Sequence, residues 1–194
     1  MILICRHGET QWNIQQRKQG RQDSPLTLNG IKQGSMLAKE LDGFITSDSP
    51  IILCSPLCRT KQYASIICDT VGIPYSLIEF DDRLKEHSFG EWEGLNEVQI
   101  EELYPGMVKA REASWWDYEV PGGESYALLE RRLTPFVEGL NICEDYVIIA
   151  HEMVSKVLRK ILLGLSEQEC LSLKHDHGAI MQINKNKLSE INFQ

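Results

Sequence analysis

The sequence predicts an α/β fold, a three-layer sandwich in which helices flank a mostly parallel central sheet and a small helical cap is inserted. Three observations lead to this fold class. Short, continuous apolar runs alternate along the chain with segments of helical spacing. The runs are continuously apolar, which is typical of strands buried on both faces. Reactive polar residues directly follow three of these runs, as expected at the carboxyl ends of parallel strands.

The strands are predicted from apolar runs of four or five residues. We place three buried strands at residues 2–5, 51–54 and 146–150. The tail is predicted to form a β-hairpin from residues 179–183 and 187–193, with its turn at residues 184–186.

The helices are predicted from apolar spacing and from residues that favour helix ends. We place them at residues 31–41, 55–70, 124–140 and from the end of the third strand to residue 163. Ser55 is the predicted N-cap of the second helix, with Pro56 in its first turn. Pro135 is expected to kink or divide the third helix, and Gly164 to end the fourth.

The length of 194 residues suits a single domain spanning residues 1–194. Residues 86–120 differ from the rest, because they hold Trp92, Trp115 and Trp116 but no clear strand. We therefore predict that residues 86–120 form a cap inserted into the domain.

Composition excludes several classes of partner. The formal charge is -8 and no run of Lys or Arg forms a basic stripe, which argues against nucleic acid. The apolar stretches are far shorter than the roughly 20 residues of a membrane span. The six cysteines lack Cys-x-x-Cys spacing, and a chain with this much core does not need disulfides, so we expect buried thiols. The prediction is a cytoplasmic protein without nucleic-acid or membrane partners.

The residues after the predicted strands have the chemistry of phosphoryl transfer. His7 is a nucleophile when neutral, and its ordinary pKa of about 6.5 makes the neutral form the majority at pH 7. Arg6 and Arg59 can each hold two phosphoryl oxygens, and a protonated His151 would add a third cation. Each residue alone has an ordinary structural explanation, but their shared position at strand ends indicates a phosphate site.

Five motifs in order resemble those of the histidine phosphatase superfamily, the phosphoglycerate-mutase-like group. They are Arg6-His7-Gly8-Glu9-Thr10-x-x-Asn13, Gly20-x-x-Asp23-x-Pro25-Leu26-Thr27-x-x-Gly30, Ser55-Pro56-Leu57-x-Arg59-Thr60, Leu84-x-Glu86-x-x-x-Gly90-x-Trp92-Glu93-Gly94, and His151 after Val147-Ile148-Ile149-Ala150. The resemblance covers nearly the full chain, and the chain looks like a compact, phosphatase-type member. Together the motifs are specific for the superfamily and only weakly specific for a substrate.

The resemblance implies a phosphomonoesterase that needs no metal or cofactor and hydrolyses a small phosphorylated metabolite. His7 would form a phosphohistidine, and Glu86 would protonate the leaving oxygen, for which its carboxyl needs burial or a nearby anion. The phosphoryl group would be bound by Arg6, Arg59 and His151. The set assigned to substrate binding is Asn13, Thr10, Gln19 and Gly20.

Two residues depart from the family pattern. Glu152 follows the second histidine, where members usually have Gly, and Lys156 stands where members often have Arg. A Glu152 carboxylate that faces the phosphate would repel it and lower activity. One that faces away or pairs with Lys156 would not.

Two alternatives to a phosphatase remain open. A mutase would return the phosphoryl group to another hydroxyl, but known cofactor-dependent mutases of this family carry longer inserts than this compact chain. A non-catalytic phosphate-binding module is favoured only by Glu152. His175, Asp176 and His177 raise the question of a metal site, but such sites need three or four converging ligands, and we predict none.

Overall fold

The computed structural model describes residues 1–44, 51–141, 143–184 and 187–191. Six strands form one sheet in the order β3-β2-β4-β1-β5-β6. They are β1 (Ile2–Arg6), β2 (Ile51–Cys54), β3 (Ile78–Phe80), β4 (Tyr146–Ala150), β5 (Ile180–Asn184) and β6 (Lys187–Ile191). The first four strands are parallel, whereas β5 pairs antiparallel with β1 and β6 antiparallel with β5. The mostly parallel sheet is confirmed, and β3 is a short edge strand that the sequence analysis missed.

Helices cover both faces of this sheet. They are α1 (Gln11–Ile14), α2 (Leu28–Phe44), α3 (Cys58–Val71), α4 (Glu97–Leu103), α5 (Met107–Ala113), α6 (Tyr126–Glu138), α7 (Glu152–Leu163) and α8 (Glu167–Ser172). Alternate residues of β1 point to opposite faces, so Leu3 packs in the core beneath α2 and α3, and Ile4 in the core beneath α6 and α7. The predicted three-layer sandwich is therefore confirmed.

The start of α3 differs from the prediction. Ser55 is not an N-cap, because α3 begins at Cys58 after Leu57, whose side chain makes no capping hydrogen bond. The Asp23 carboxylate instead accepts from the backbone N–H groups of Cys58, at 2.9 Å, and Arg59, at 3.2 Å. A residue distant in sequence thus caps this helix and leaves Ser55 free for another contact.

Helix α6 is not divided at Pro135, which lies inside a continuous helical segment. Its N-cap is Ser125, whose hydroxyl accepts from the backbone N–H of Leu128 at 3.2 Å. Pro135 lies in the last turn, so few helical residues follow the backbone hydrogen bond that it removes. Helix α7 ends as predicted at Gly164, which adopts the left-handed conformation with φ of 67°.

The tail forms the predicted antiparallel pair, with Asn184 opposite Lys187. Residues 185–186 of the predicted turn and residues 192–193 of its second arm lie outside the described residues. No helix within the described ranges is long and apolar enough to cross a membrane. The cysteines are free thiols, but Cys58 and Cys143 are exposed, contrary to the expectation that all would be buried.

Residues 86–120 contain a 3₁₀ turn at Gly90–Trp92 and the helices α4 and α5, and no strand. Their apolar side chains form a small separate cluster of Phe89, Trp92, Ile100 and Val120. Trp116 stacks on Tyr126 of α6 with ring centroids 5.5 Å apart, which joins this segment to the main core. Its role as an inserted cap stays a prediction.

Candidate active site

The carboxyl ends of β1, β2 and β4 lie side by side. The backbone N–H of His7 donates to the carbonyl of Ala150 at 3.1 Å, and that of Ser55 donates to the carbonyl of Ile149 at 2.9 Å. These bonds extend the parallel ladder by one residue beyond β1 and β2. They bring the imidazoles of His7 and His151 to a centroid distance of 5.2 Å. The predicted convergence of residues at these strand ends is therefore present.

The imidazole of His7 is held in one tautomer. Nδ1 lies 2.8 Å from the carbonyl oxygen of Gly8, and a carbonyl only accepts, so Nδ1 carries the proton. Nε2 accepts from Nε of Arg59 at 3.2 Å, so its lone pair faces the cavity side of the site. Burial, and then the charges of Arg59 and Arg6, lower the pKa of His7 well below its ordinary value. His7 is therefore neutral at pH 7, as a nucleophile requires.

Arg59 is almost completely buried and firmly held. Nη1 donates to the carbonyl of Gln22 at 2.7 Å and to Asp23 at 2.8 Å, and Nη2 donates to the carbonyl of Gly20 at 2.8 Å. Since Nε is bound to His7, the guanidinium joins the loop of residues 20–23 to the nucleophile. This fixed orientation needs a planar group with several donors, which Lys lacks.

Protein groups bind two of the three guanidinium nitrogens of Arg6. Nη1 donates to the carbonyl of His175 at 2.6 Å, and Nη2 pairs with Glu152 at 3.0 Å. Its Nε is buried and has no hydrogen-bond partner in the part of the chain that the structure describes. A buried donor without a partner is costly, so this nitrogen marks a place for an acceptor.

Glu152 faces the cavity and is paired with two cations, Arg6 at 3.0 Å and Lys156 at 3.3 Å. Burial opposes its ionisation, but the charges of Arg6 and Lys156 outweigh burial and lower the pKa of Glu152. Of the alternatives left open for Glu152, the pairing with Lys156 is present and a position facing away from the cavity is not. Glu152 also pairs with Arg6, so its carboxylate lies against a guanidinium that we predict to bind the phosphoryl group.

His151 lies fully buried behind His7. Its Nε2 is 2.8 Å from the hydroxyl of Ser55, and its Nδ1 has no partner among the described residues. Burial, together with Arg59 and His7, lowers the pKa of His151 well below its ordinary value. The protein groups around His151 therefore favour its neutral form, whereas a phosphoryl dianion nearby would favour the protonated form in which it adds a third cation.

Glu86 has the burial that an acid role requires, with 9% of its surface exposed. Its carboxylate accepts from the backbone N–H groups of His87 at 3.0 Å and Val154 at 3.3 Å. Burial raises the pKa of Glu86, and the charge of Arg59 partly opposes the rise. The carboxyl group is therefore easier to protonate than an exposed one.

Thr10 and Asn13 act as a pair at the start of α1. The backbone N–H and hydroxyl of Thr10 both donate to Oδ1 of Asn13 at 2.9 Å. Asn13 lines the cavity, whereas Thr10 is fully buried outside it. Thr10 therefore fixes the Asn13 amide, which differs from the substrate contact assigned to it. Gln19 and Gly20 line the cavity as expected.

These side chains enclose a cavity of about 180 Å³. It is lined by Arg6, His7, Asn13, Arg17, Lys18, Gln19, Gly20, Arg59, Glu86, Phe89, Glu152 and Met153. Four residues of this lining were not predicted from the sequence: Arg17, Lys18, Phe89 and Met153. The first two form a basic pair shortly after the nucleophile motif, and this pair could have indicated them.

The histidines near the tail are engaged by protein groups. His175 donates from Nε2 to the carbonyl of Ala179 at 3.0 Å, and its Nδ1 accepts from the Ser155 hydroxyl at 2.6 Å. His177 donates from Nδ1 to the carbonyl of His7 at 2.7 Å. Burial lowers the pKa of His175 to about 3 and that of His177 to about 4. His177 therefore holds the strand end that carries His7, whereas His175 joins α7 to the segment before β5.

Comparison with known families agrees with this geometry. The family model described as histidine phosphatase superfamily (branch 1) matches residues 2–188. A probable phosphoglycerate mutase GpmB of Escherichia coli O1:K1 is 34% identical over 173 residues, which cover 84% of this chain and 75% of that protein. The protein of the same name from Salmonella paratyphi C is 36% identical over 132 residues, covering 68% of this chain and 59% of its own length.

Solved structures share the fold over almost the whole chain. A putative alpha-ribazole-5'-P phosphatase from Escherichia coli K-12 has a TM-score of 0.84 with 24% identity, covering 98% of this chain and 93% of its own. A mycobacterial glucosyl-3-phosphoglycerate phosphatase in complex with VO3 has a TM-score of 0.80 with 25% identity, covering 98% and 95%. The similar proteins thus include both phosphatases and proteins named as mutases.

Proposed function

The chain belongs to the histidine phosphatase superfamily, and from this premise we propose that it is a cytoplasmic, metal-independent phosphomonoesterase acting on a small phosphorylated metabolite. The observation that carries the proposal is the protonation state and orientation of the His7 imidazole. The ring is neutral, its protonated Nδ1 is bound to Gly8, and its Nε2 lone pair lies beside Arg59. Arg6 and His151 add nitrogens without partners in the described structure, which suits a phosphoryl group between them.

In the first step, Nε2 of His7 attacks phosphorus and the bond to the leaving oxygen breaks. Glu86 gives its proton to that oxygen, so the alcohol leaves neutral. Charge on the phosphoryl oxygens is stabilised by Arg6 and by Arg59, whose Nε exchanges its contact with His7 for a phosphoryl oxygen. The product is a phosphohistidine with a carboxylate at Glu86.

In the second step, water attacks the phosphohistidine. The ionised Glu86 takes a proton from this water, the P–N bond breaks, and inorganic phosphate leaves. His7 returns to its neutral tautomer because Nδ1 stays bound to the carbonyl of Gly8 throughout. No step of this mechanism calls for a charge beyond those of Arg6, Arg59 and a His151 whose protonated form the bound dianion favours.

A mutase is the second candidate, because the relatives named above are described as probable phosphoglycerate mutases. It would use the same first step but pass the phosphoryl group to a second hydroxyl. A binding module is disfavoured, since a neutral, oriented His7 and a buried Glu86 with a raised pKa are features that catalysis requires and phosphate binding alone does not.

The proposal is tested by hydrolysis of p-nitrophenyl phosphate in excess EDTA by wild type and His7→Ala. Calorimetry first checks that the two proteins have the same Tm, so that a loss of activity is not a loss of folding. Turnover that survives EDTA and is lost in the variant supports the proposal. Wild-type enzyme quenched in alkaline detergent during turnover should also carry a phosphoryl group that is stable in alkali, is released by acid and is missing from His7→Ala. Turnover by His7→Ala at the wild-type rate, or loss of wild-type turnover in EDTA, would overturn it. Phosphoryl exchange without hydrolysis would favour the mutase.

A further inference from the structure

The proposed reaction uses Arg59 and Glu86 together, although two separate segments of the chain hold them. Carbonyl groups of the loop at residues 20–22 bind the Arg59 guanidinium at 2.7 and 2.8 Å. Glu86 belongs to the segment of residues 86–90, which is distant from that loop in sequence. Contacts between the loop and the segment must therefore set the separation of the two groups, and two carboxylates outside the cavity make such contacts.

The carboxylate of Glu93 accepts backbone hydrogen bonds from both the loop and the segment. Its Oε1 accepts from the N–H of Arg21 at 2.9 Å and from that of Phe89 at 3.1 Å, and its Oε2 accepts from the N–H of Gln22 at 3.2 Å. It also packs closely on Gly20, where φ is 53° and a Cβ would collide with Oε1 of Glu93. The carboxylate therefore joins the loop that binds the guanidinium to the segment that carries the proton donor.

Glu124 joins the same loop and segment from another side. Its Oε1 accepts from Nη2 of Arg21 at 2.8 Å, and its Oε2 accepts from the backbone N–H of Ser88 at 3.0 Å. Arg132 of α6 adds two parallel bonds, from Nε to Oε1 at 3.0 Å and from Nη2 to Oε2 at 2.9 Å. Burial opposes ionisation, but the hydrogen bonds and charge of Arg132 outweigh burial and lower the pKa of Glu124. The side chain is therefore a carboxylate at pH 7.

Arg132 extends the contact to the backbone of the proton donor itself. Its Nη1 donates to the carbonyl of Lys85 at 2.9 Å, and its Nη2 lies 3.4 Å from the carbonyl of Glu86. Since Glu124 binds the guanidinium through two nitrogens, the carboxylate fixes the plane in which these donors lie. Neither Glu124 nor Arg132 lines the cavity, so their effect on Glu86 is transmitted through the backbone.

We propose that Glu93 and Glu124 are positioning residues, which hold the loop of the phosphoryl-binding guanidinium and the segment of the proton donor at a fixed separation. This inference rests on the proposed function, because it takes Arg59 as a phosphoryl ligand and Glu86 as the acid. The two carboxylates act through the hydrogen bonds that they accept on both sides. The length of each side chain therefore matters as well as its charge, since hydrogen bonds weaken steeply once the distance or angle is poor.

The test shortens each carboxylate by one methylene and keeps its charge. Glu93→Asp and Glu124→Asp should each lower kcat/KM on ethyl phosphate about ten- to hundredfold, because small displacements of reacting groups are costly. The ratio of kcat/KM on ethyl phosphate to that on p-nitrophenyl phosphate should fall severalfold, because the alkyl leaving group depends on the proton of Glu86. A residue that only stabilises the fold would change Tm and leave this ratio as it is. An unchanged ratio in both folded variants would overturn the proposal.

Glu101→Asp is the matched control. Glu101 also accepts a backbone N–H, that of Gly106 at 3.0 Å, but it is exposed on α4, so the ratio should stay at the wild-type value. If neither aspartate variant of the two positioning residues folds, Arg132→Lys decides by the same ratio, because it keeps the charge and loses the planar fork.

A second substitution locates the effect in the proton donor. In the Glu86→Gln background, Glu124→Asp should lower the ratio no further, because the group through which it acts is already lost. Reductions that multiply in the double variant would show that Glu124 acts independently of Glu86 and would overturn its positioning role.

Failure of the positioning role is separable from failure of the proposed function. If wild type hydrolyses neither substrate, the phosphatase proposal fails, and the pKa of Glu86 is then measured by ¹³C NMR of its carboxyl carbon, assigned with Glu86→Gln. Burial raises this pKa, so a displaced carboxyl group that gains contact with water should titrate closer to its ordinary value. A pKa lower than that of wild type in Glu93→Asp or Glu124→Asp would support positioning without catalysis. An unchanged pKa in both would overturn it.

Discussion

Nε of Arg59 donates to Nε2 of His7 at 3.2 Å, so the guanidinium touches the nitrogen that we propose as the nucleophile. The same group is bound to the carbonyls of Gly20 and Gln22 and to Asp23. It therefore sets the position of the imidazole and of the adjoining loop together. An ammonium group cannot reproduce these contacts, because it lacks a planar fork of donors.

Replacement of Arg59 by lysine tests this geometry. We expect Arg59→Lys to lower kcat by well over tenfold, because the charge stays but the contacts to His7 and the phosphoryl oxygens are lost. Steady-state kinetics on p-nitrophenyl phosphate measure the effect, with Arg131→Lys on the exposed face of α6 as the matched control. Near-normal activity of Arg59→Lys would remove Arg59 from contact with the reacting group.

The pH dependence follows from the opposite shifts of two groups. The active enzyme has His7 neutral and Glu86 protonated. Activity should fall as pH drops through the pKa of His7, which lies below 6.5, and as pH rises through the pKa of Glu86, which lies above 4.5. We therefore expect a bell-shaped kcat/KM profile displaced to the acidic side of neutrality. A profile that stays flat from pH 5 to 9 would contradict the role of Glu86, and one that rises with pH through 6.5 would contradict a neutral His7.

Glu86→Gln separates the two limbs of this profile. The variant should lose the basic limb and about 10²- to 10⁴-fold in kcat on alkyl phosphates, which need a proton on the leaving oxygen. The loss in kcat/KM, which reports the first step and not the later hydrolysis of phosphohistidine, should be much smaller on p-nitrophenyl phosphate, whose leaving group is a stable anion. Glu102→Gln in the exposed face of α4 serves as control. Equal losses on both substrate types would argue against Glu86 as the proton donor.

We expect Glu152 to compete with phosphate for Arg6. Its ionised carboxylate pairs with Nη2 of Arg6 at 3.0 Å and faces the cavity. Glu152→Gln removes the like charge, so we expect the inhibition constant of inorganic phosphate and the KM of substrates to fall severalfold. Glu130→Gln is the control, since Glu130 pairs with Lys160 away from the cavity. Weaker phosphate binding in Glu152→Gln would instead make Glu152 a positioning residue for Arg6.

The sequence predicted the candidate site best where its residues directly follow a buried strand. Apolar runs and the residues after them predicted the ends of β1, β2 and β4 and hence the meeting of His7, Arg59 and His151. Short elements with weak patterns were missed, as with β3, whose sequence is Ile-Glu-Phe at the sheet edge. A run of three residues has too little periodicity to stand out.

Contacts between distant residues explain the remaining errors. Ser55 has the sequence features of an N-cap, but its hydroxyl binds His151, which lies 96 positions away. The place of Phe89 and Met153 in the lining of the cavity depends on how segments distant in sequence pack, which no local pattern specifies.

Asp23 links the stability of α3 to the position of Arg59. Its carboxylate caps the helix through the N–H groups of Cys58 and Arg59 and also binds Nη1 of Arg59 at 2.8 Å. Asp23→Ala removes the cap and should cost about 1 kcal/mol, because Asp at an N-cap is favoured over Ala by roughly that amount. In a domain of this size that loss corresponds to about 2–4 °C in Tm.

Asp23→Asn distinguishes the two roles. An asparagine still caps, because its side-chain oxygen accepts from a backbone N–H, so Tm should stay near that of wild type. The ion pair with Arg59 is lost, so kcat should fall in Asp23→Asn as well as in Asp23→Ala, while Asp69→Asn on the exposed side of α3 should leave both quantities unchanged. Scanning calorimetry and kinetics on the same preparations measure the two effects. Full activity of Asp23→Asn would show that the cap, and not the ion pair, holds Arg59 in place.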